Sequence, residues 1–483
     1  MVDVLNANDL KSATRNLTFP FEVIVRCKDH AHHITVESNL RMVPGKRLVA
    51  LARLNDQPVV VKLFFGGAAQ DQLDREIAGN AGFKRAKVDS PEIVFQGRLD
   101  PNGYCIAFEW LEGSETLANQ LKACDDIQKE RDILRIIVGA VATMHNSGIV
   151  QHDIHPSNFL VQNDTLKVID GGDVSVEKIG SEVPKHVAMD NLALLFGQLI
   201  PHYDQHIPSL LQVYTDLREW LPNEIRLADL LDRVQRWRQV RLKKFMKKVQ
   251  RNSTDFAVYE DDFSKGMFKR QFDSESLRML LGNPEYVMKD SYVIKNGNTA
   301  TVAIAELDGI PIVIKRYNIR TTTQQVRWSV QKSRACRSWE GGLLLNFWGL
   351  HSPNPIAYID QWKGMLRGNS YYIAEHIEGP SAYDLFAEQS SYRHYDNNLV
   401  NAFVSLFEHL AMAQVSHGDC KATNFLVKDN EPWVLDLDSL TYHKSARIHR
   451  AAFAKDVNRF LRNWEAFPGL HAIFKGQLER FIH

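Results

Sequence analysis

Cysteine is scarce in this 483-residue chain. The five residues stand at 27, 105, 124, 336 and 420, an odd number with no Cys-x-x-Cys pair. That argues against a disulfide framework or a zinc ribbon and fits a reducing compartment. Charge of one sign is also missing: 58 Lys and Arg balance 58 Asp and Glu, which argues against a globally basic nucleic-acid binder. Long apolar runs are wanting too. The longest charge-free stretch worth testing, 341–359, carries two prolines, His351 and several polar residues, a poor spanning helix. The first 25 residues show no basic segment followed by an apolar one, so no signal peptide is read. What remains is 44% hydrophobic and 24% charged, an ordinary soluble composition for a chain of two or three domains.

The chain repeats itself. HDIHPSNFLV (152–161) and GDCKATNFLV (418–427) share Asp, Asn, Phe, Leu and Val in register. The same offset of 266 residues relates Glu109 to Glu375, Asp153 to Asp419, Asn158 to Asn424, Asp170 to Asp436 and Asp190 to Asp456. Upstream, VVVKLF (59–64) and IVIKRY (312–317) each place a lysine, Lys62 or Lys315, late in a β-branched run. Their offset is 253, so the second copy carries 13 extra residues, placed at 319–337. Residues 48–64 and 299–317 read as strand–turn–strand, with turns at Asn55-Asp56 and Asp308-Gly309. Helical spacing runs through 129–145 and 399–415, before each Asp motif, and through 186–200 and 446–464, after it.

Each copy thus orders Lys, Glu, Asp, Asn, Asp. Phosphoryl transfer from ATP needs such parts: a strand lysine on the phosphates, a helix glutamate to orient it, and an Asp to take the hydroxyl proton. An Asn and a second Asp supply the hard oxygens that Mg²⁺ prefers.

The ensemble resembles the protein-kinase-like fold. The second copy resembles the lipopolysaccharide core sugar kinase family in VIKRYN (313–318), QKSRACRSWEGGLLL (331–345), SPNPIA (352–357), HGDCKATNFLV (417–427), VLDLDS (434–439) and KDVNRFLRNW (455–464). The first copy resembles the same superfamily more loosely. The resemblance implies an α+β chain of two tandem kinase-like domains, each with a small β-rich N-lobe and a minimal helical C-lobe. They are placed at 1–225 and 285–483, with a basic connector at 226–284. It implies that Lys315 and Lys62 bind ATP, paired with Glu340 and Glu76. Both glutamates lie 15 residues before a proline, Pro355 or Pro91. Gly297 and Gly45 would be the lone glycines of thin phosphate-cradling turns. Asp419 and Asp153 would be the bases, Lys421 a γ-phosphate contact, and Asn424, Asp436, Asn158 and Asp170 the Mg²⁺ ligands. The implied reaction phosphorylates a sugar hydroxyl of the lipopolysaccharide core, heptose by preference. Its setting is the cytoplasm, with peripheral contact at the inner membrane. A protein kinase and a tandem pseudokinase scaffold with one inactive copy remain as alternatives.

The first copy departs from the pattern at Gln151, where the second has His417, and at His155, where it has Lys421; the second departs at Asp438, opposite Gly172. The second copy is therefore expected to carry the activity. Twenty residues separate each metal Asp from the next acid, Asp190 or Asp456, which favours a small acceptor over a peptide. Those two acids are expected to brace the catalytic loops. Glu109 and Glu375 are expected to tie the hinges, and His30, His32 and His33 to lie in a solvated loop. Arg320, Arg327, Lys332, Arg334 and Arg337 are expected to hold an anionic acceptor. Residues 233–251 carry nine Lys and Arg and no acid, eight of the nine on one helical arc. They read as a solvated linker helix packing on a lobe or as a membrane-surface or anionic-glycolipid contact, with RNA a minor third reading.

Overall fold

Two tight turns set the register of two separate sheets. Asn55 and Asp56 have φ of 51° and 61°, and Asp308 and Gly309 have 50° and 81°. Paired left-handed residues are what a two-residue hairpin demands. They fold Arg47–Leu54 onto Gln57–Phe64 and Ala300–Leu307 onto Ile310–Tyr317. Strand alternation then sorts the side chains. Val59, Val61 and Leu63 enter one apolar core, and Ile312 and Ile314 another, which leaves Lys62 and Lys315 on the opposite faces.

The computed structural model describes residues 3–13, 17–163, 165–176, 181–221, 224–319, 321–391 and 395–482. It divides into two compact units, one of residues 1–199 and 203–239, the other of 200–202 and 240–483. The first holds a seven-stranded sheet in the order Asp3–Val4, Phe21–Cys27, His30–Val43, Arg47–Leu54, Gln57–Phe64, Gly103–Glu109, Ile93–Leu99. Val25 and Arg26 also pair with Leu99 and Arg98, which curls the sheet back on itself. The second holds seven antiparallel strands in the order Phe256–Glu260, Ser264–Lys269, Pro355–Lys363, Leu366–Glu375, Ile310–Tyr317, Ala300–Leu307, Tyr292–Asn296.

A helical part follows each sheet. The helices Ile127–Asn146 and Asn397–Met412 start alike: Asp126 and Asp396 each accept two amides of the first turn. In the second unit Phe403, Phe425, Phe460, Trp464 and Phe474 fill the core. The Phe460 ring centre lies 5.7 Å from Phe403, 5.5 Å from Trp464 and 5.1 Å from Phe474. Each such burial is worth about 1.5–3 kcal/mol, and each aromatic pair adds about 0.5–1.5 kcal/mol.

Two expectations are redrawn. The stretch 226–284 is more than a helical connector. Its helix Leu227–Lys248 gives Leu230 and Val234 to the first unit's core and Leu242 to the second's, and 256–269 forms two strands of the second sheet. The ninth cation, Arg238, lies off the basic arc and is buried and paired with Asp204. His30, His32 and His33 lie on the strand His30–Val43 rather than in a loop, and the His33 ring meets Glu22 at 3.3 Å.

Candidate active site

In the first unit Lys62 stands between two acids. Its Nζ donates to Glu76 Oε1 at 2.6 Å and to Asp170 Oδ1 at 3.0 Å. Glu76 comes from the helix Ala69–Arg85 and is buried. Burial raises its carboxyl above the ordinary value despite Lys62. Burial also works to raise Asp170, but Lys62, Arg47 and Arg41 together carry it below the ordinary value. These residues sit at one end of a cavity of about 470 Å³. Its walls are apolar (Val49, Val60, Phe108, Leu160 and Val168), and the segment Glu109–Leu111 runs along one edge. Gly45, at φ +72°, makes the turn before Arg47. Glu109 ties the hinge as expected, accepting the Glu92 amide at 3.2 Å and Lys167 Nζ at 2.6 Å.

The second unit repeats the backbone and changes the partners. Asp170 and Asp436 have φ of 68° and 56°, left-handed values uncommon for a residue with a side chain. Lys315 Nζ pairs with Asp436. Burial opposes the charge on each, yet the attraction between them holds the lysine above and the carboxyl below its usual range. Glu340 does not join them. Its carboxylate accepts from Gln250 Nε2 at 3.1 Å and from Lys332.

Helix register explains this. A Cβ on Gly79 would meet the carbonyl of Gly171, and one on Gly341 the carbonyl of Leu437; these are the residues after Asp170 and Asp436. Gly79 and Gly341 are therefore equivalent, and the residue three before them, on the same helix face, is Glu76 in one unit and Ser338 in the other. The acid has moved instead to the loop. A Cβ on Gly172 would stand 2.7 Å from Glu76 Oε1, and the second unit places Asp438 at that position. Asp438 is buried and pairs with Arg334. The Arg334 guanidinium and Lys315 Nζ lie 4.6 Å and 5.0 Å from the centre of the same Tyr317 ring, whose hydroxyl meets Ser338 Oγ at 2.7 Å. Sequence reasoning missed Ser338 and this use of Arg334 and Asp438. The signal was the glycine of the helix together with the Asp-Leu-Asp triplet.

The loop 417–424 is held at several points. Asp456 accepts the amides of His417 and Gly418 at 2.6 and 3.0 Å. His417 Nε2 meets the Leu435 carbonyl at 2.8 Å. Lys421 Nζ donates to Asp419 Oδ2 at 2.6 Å, and Asn424 Nδ2 to the Asp419 carbonyl at 2.9 Å. Turning its amide nitrogen inward leaves the Asn424 oxygen for a cation, and Asn158 does the same on Asp153 at 2.8 Å. One Asp and one Asn oxygen per unit suit Mg²⁺, which keeps waters and phosphate oxygens as its other ligands. Among the described residues no group of three His, Cys, Asp or Glu side chains gathers as a metal site.

The first unit's loop is built differently. Gln151 Nε2 reaches the Ile169 carbonyl at 2.8 Å, the bond His417 makes in the other unit. Asp190 does not brace the loop: its side chain is 46% exposed and meets Arg233 at 3.4 Å. Asn191 takes over and donates to the Gln151 carbonyl at 2.9 Å. In the second unit Gly297 closes a turn onto Ala300 at 3.0 Å, and Glu375 Oε1 accepts from Asn354 at 2.9 Å. Of the five cations expected to hold an acceptor, Lys332 and Arg334 are already paired. Arg320 and the Arg327 side chain lie outside the described residues.

No curated protein matches the chain. A solved structure described as WaaP in complex with acyl carrier protein matches at 20% identity, over 42% of this chain and 89% of that one, with a TM-score of 0.33, too slight a likeness to carry weight. A family model matches the stretch that holds Lys315, Asp419, Asn424, Asp436 and Asp456. That model, matched by residues 294–482, describes the lipopolysaccharide kinase (Kdo/WaaP) family, a family of ATP-dependent phosphotransferases.

Proposed function

We propose that the second unit transfers the γ-phosphate of ATP to a hydroxyl of the lipopolysaccharide inner core, a heptose hydroxyl by preference. The observation that carries this reading is the loop 417–424, pinned by Asp456 at two amides. In it Asp419 is presented with its backbone fixed, as a base must be to meet an acceptor hydroxyl at hydrogen-bond range. The acceptor oxygen attacks the γ-phosphorus and its proton passes to Asp419. The bond from that phosphorus to the β–γ bridging oxygen breaks, and ADP leaves. Lys315 and Arg334 hold the phosphates, and Lys421 exchanges Asp419 for the transferred phosphoryl group. Asn424 and Asp436 would hold Mg²⁺, whose charge, when bound, would offset that of the phosphates.

The segment after Asp436 supports a small acceptor. Only a 3₁₀ turn at Leu437–Ser439 and the strand Thr441–Tyr442 precede the helix that begins at Ala446, so a long peptide platform has no chain to form from. An open cavity of about 740 Å³ beside the loop is lined by Arg447 and Lys455, cations suited to a phosphorylated glycan. The first unit reads as a second kinase-like copy. We place the protein in the cytoplasm with peripheral contact at the inner membrane; among the described residues no helix is long and apolar enough to cross a membrane. The test is transfer of radiolabelled γ-phosphate to purified core oligosaccharide and, separately, to protein. Label in the oligosaccharide is expected; label in protein alone would make this a protein kinase.

A further inference from the structure

We infer that the first unit holds a nucleoside triphosphate in its own cleft without transferring its phosphate. This rests on the tandem reading above and assigns the first unit a different task. The binding half of the machinery is complete there. An apolar slot between Val49, Val60, Leu160 and Val168 opens within the cavity of about 470 Å³, a volume in the range of small-molecule sites. At its polar end Lys62 is fixed by Glu76 and Asp170 at 2.6 and 3.0 Å, and Arg41 and Arg47 line the same space. Three cations converging on one end of an apolar slot match a flat base joined to a polyphosphate.

The transfer half is dismantled in the same unit. The equivalent of Lys421 is His155, whose Nδ1 accepts the Ser157 amide at 3.1 Å and so turns back on its own loop. The equivalent of the Asp456 clamp is lost, because Asp190 faces Arg233 and Asn191 grips a carbonyl rather than two amides. Among the described residues the Asp153 carboxylate has no hydrogen-bond partner, whereas Asp419 is held by Lys421 and approached by Asn424 at 3.4 Å. A base whose carboxylate is unheld, in a loop without the two-amide clamp, is poorly placed to meet an acceptor hydroxyl. The two units keep complementary halves: the first keeps the Lys–Glu anchor and lacks the loop's lysine contact and two-amide clamp, and the second keeps both of those and replaces the anchor.

The experiment is photolabelling of the full chain with an azido-ATP and magnesium, mapped by peptide, beside an equilibrium titration with a non-hydrolysable ATP analogue. Two nucleotides per chain are expected, with label in both units. Lys62→Met and, independently, Val60→Trp should each remove the first unit's label and lower the stoichiometry to one. One nucleotide per chain with no label in the first unit would overturn the inference. Asp419→Asn should abolish transfer to any acceptor; residual transfer that Asp153→Asn then removes would equally overturn it. Label is counted unit by unit. A chain that fails to phosphorylate core oligosaccharide but labels in the first unit therefore refutes the reading of the second unit alone.

Discussion

Lys315 keeps an acidic environment although the helix glutamate is gone, because Asp438 supplies the charge from the loop and Arg334 adds a second cation. Asp438→Ala should therefore raise the KM for ATP about tenfold, the loss of one charge-assisted hydrogen bond, with a smaller change in kcat. Glu340→Gln should leave that KM within about twofold, because its carboxylate serves Lys332 and Gln250. Steady-state kinetics on the two variants check this, and a reversed order would restore Glu340 as the partner of Lys315. Asp419→Ala should leave ATP binding intact and reduce turnover by about 10²–10⁴-fold. At this scale the sequence was legible in placement: Asn424 meets Asp419, and Asp436 meets Lys315, as the spacing led one to expect. It misled at Glu340. The 15-residue match from Glu340 to Pro355 and from Glu76 to Pro91 assumed a constant connection. The helix register is instead set by glycines packed on the Asp loop, at 12 and 14 residues from those prolines.

The elements that hold the loop carry their own predictions. Phe460 packs on five aromatic neighbours in the second unit, so Phe460→Ala should cost about 3–5 kcal/mol in denaturant unfolding. Lys269, on the strand Ser264–Lys269, is pushed by burial from 10.5 down to about 8. Its folded state releases the proton more readily than its unfolded state, so stability from this group rises as pH climbs from about 8 to 10.5. Thermal melts of the wild-type chain against Lys269→Met should therefore show the difference between them change across that window and stay flat below it. The strands and helices themselves were readable from alternation, helical spacing and the Asn-Asp and Asp-Gly turns. The brace was readable in one copy only. Asp190 and Asp456 share a register in sequence, but Asn191 is locked by His145 at 3.1 Å and takes the inward place.

Across the whole chain the repeat was the clearest feature, since five acidic and amide positions hold one offset. The boundary was not legible. The amphipathic pattern reads as a linker helix packing on one lobe, yet Leu230 and Val234 enter one core and Leu242 another. Its exposed cations Lys243, Lys244 and Lys247 leave a surface reading for that helix. Exchanging the three for Gln should weaken binding to anionic vesicles, and the wild-type affinity should fall as salt rises. Unchanged vesicle binding would leave the helix a packing element. The claim that joins these scales is that Asp419 and its pinned loop phosphorylate a core sugar. Mass spectrometry of purified core oligosaccharide after incubation with ATP and the full chain tests it most directly. The account predicts one added phosphate with the wild-type chain and none with Asp419→Asn; an unmodified oligosaccharide with the wild type, or equal modification by Asp419→Asn, would contradict it.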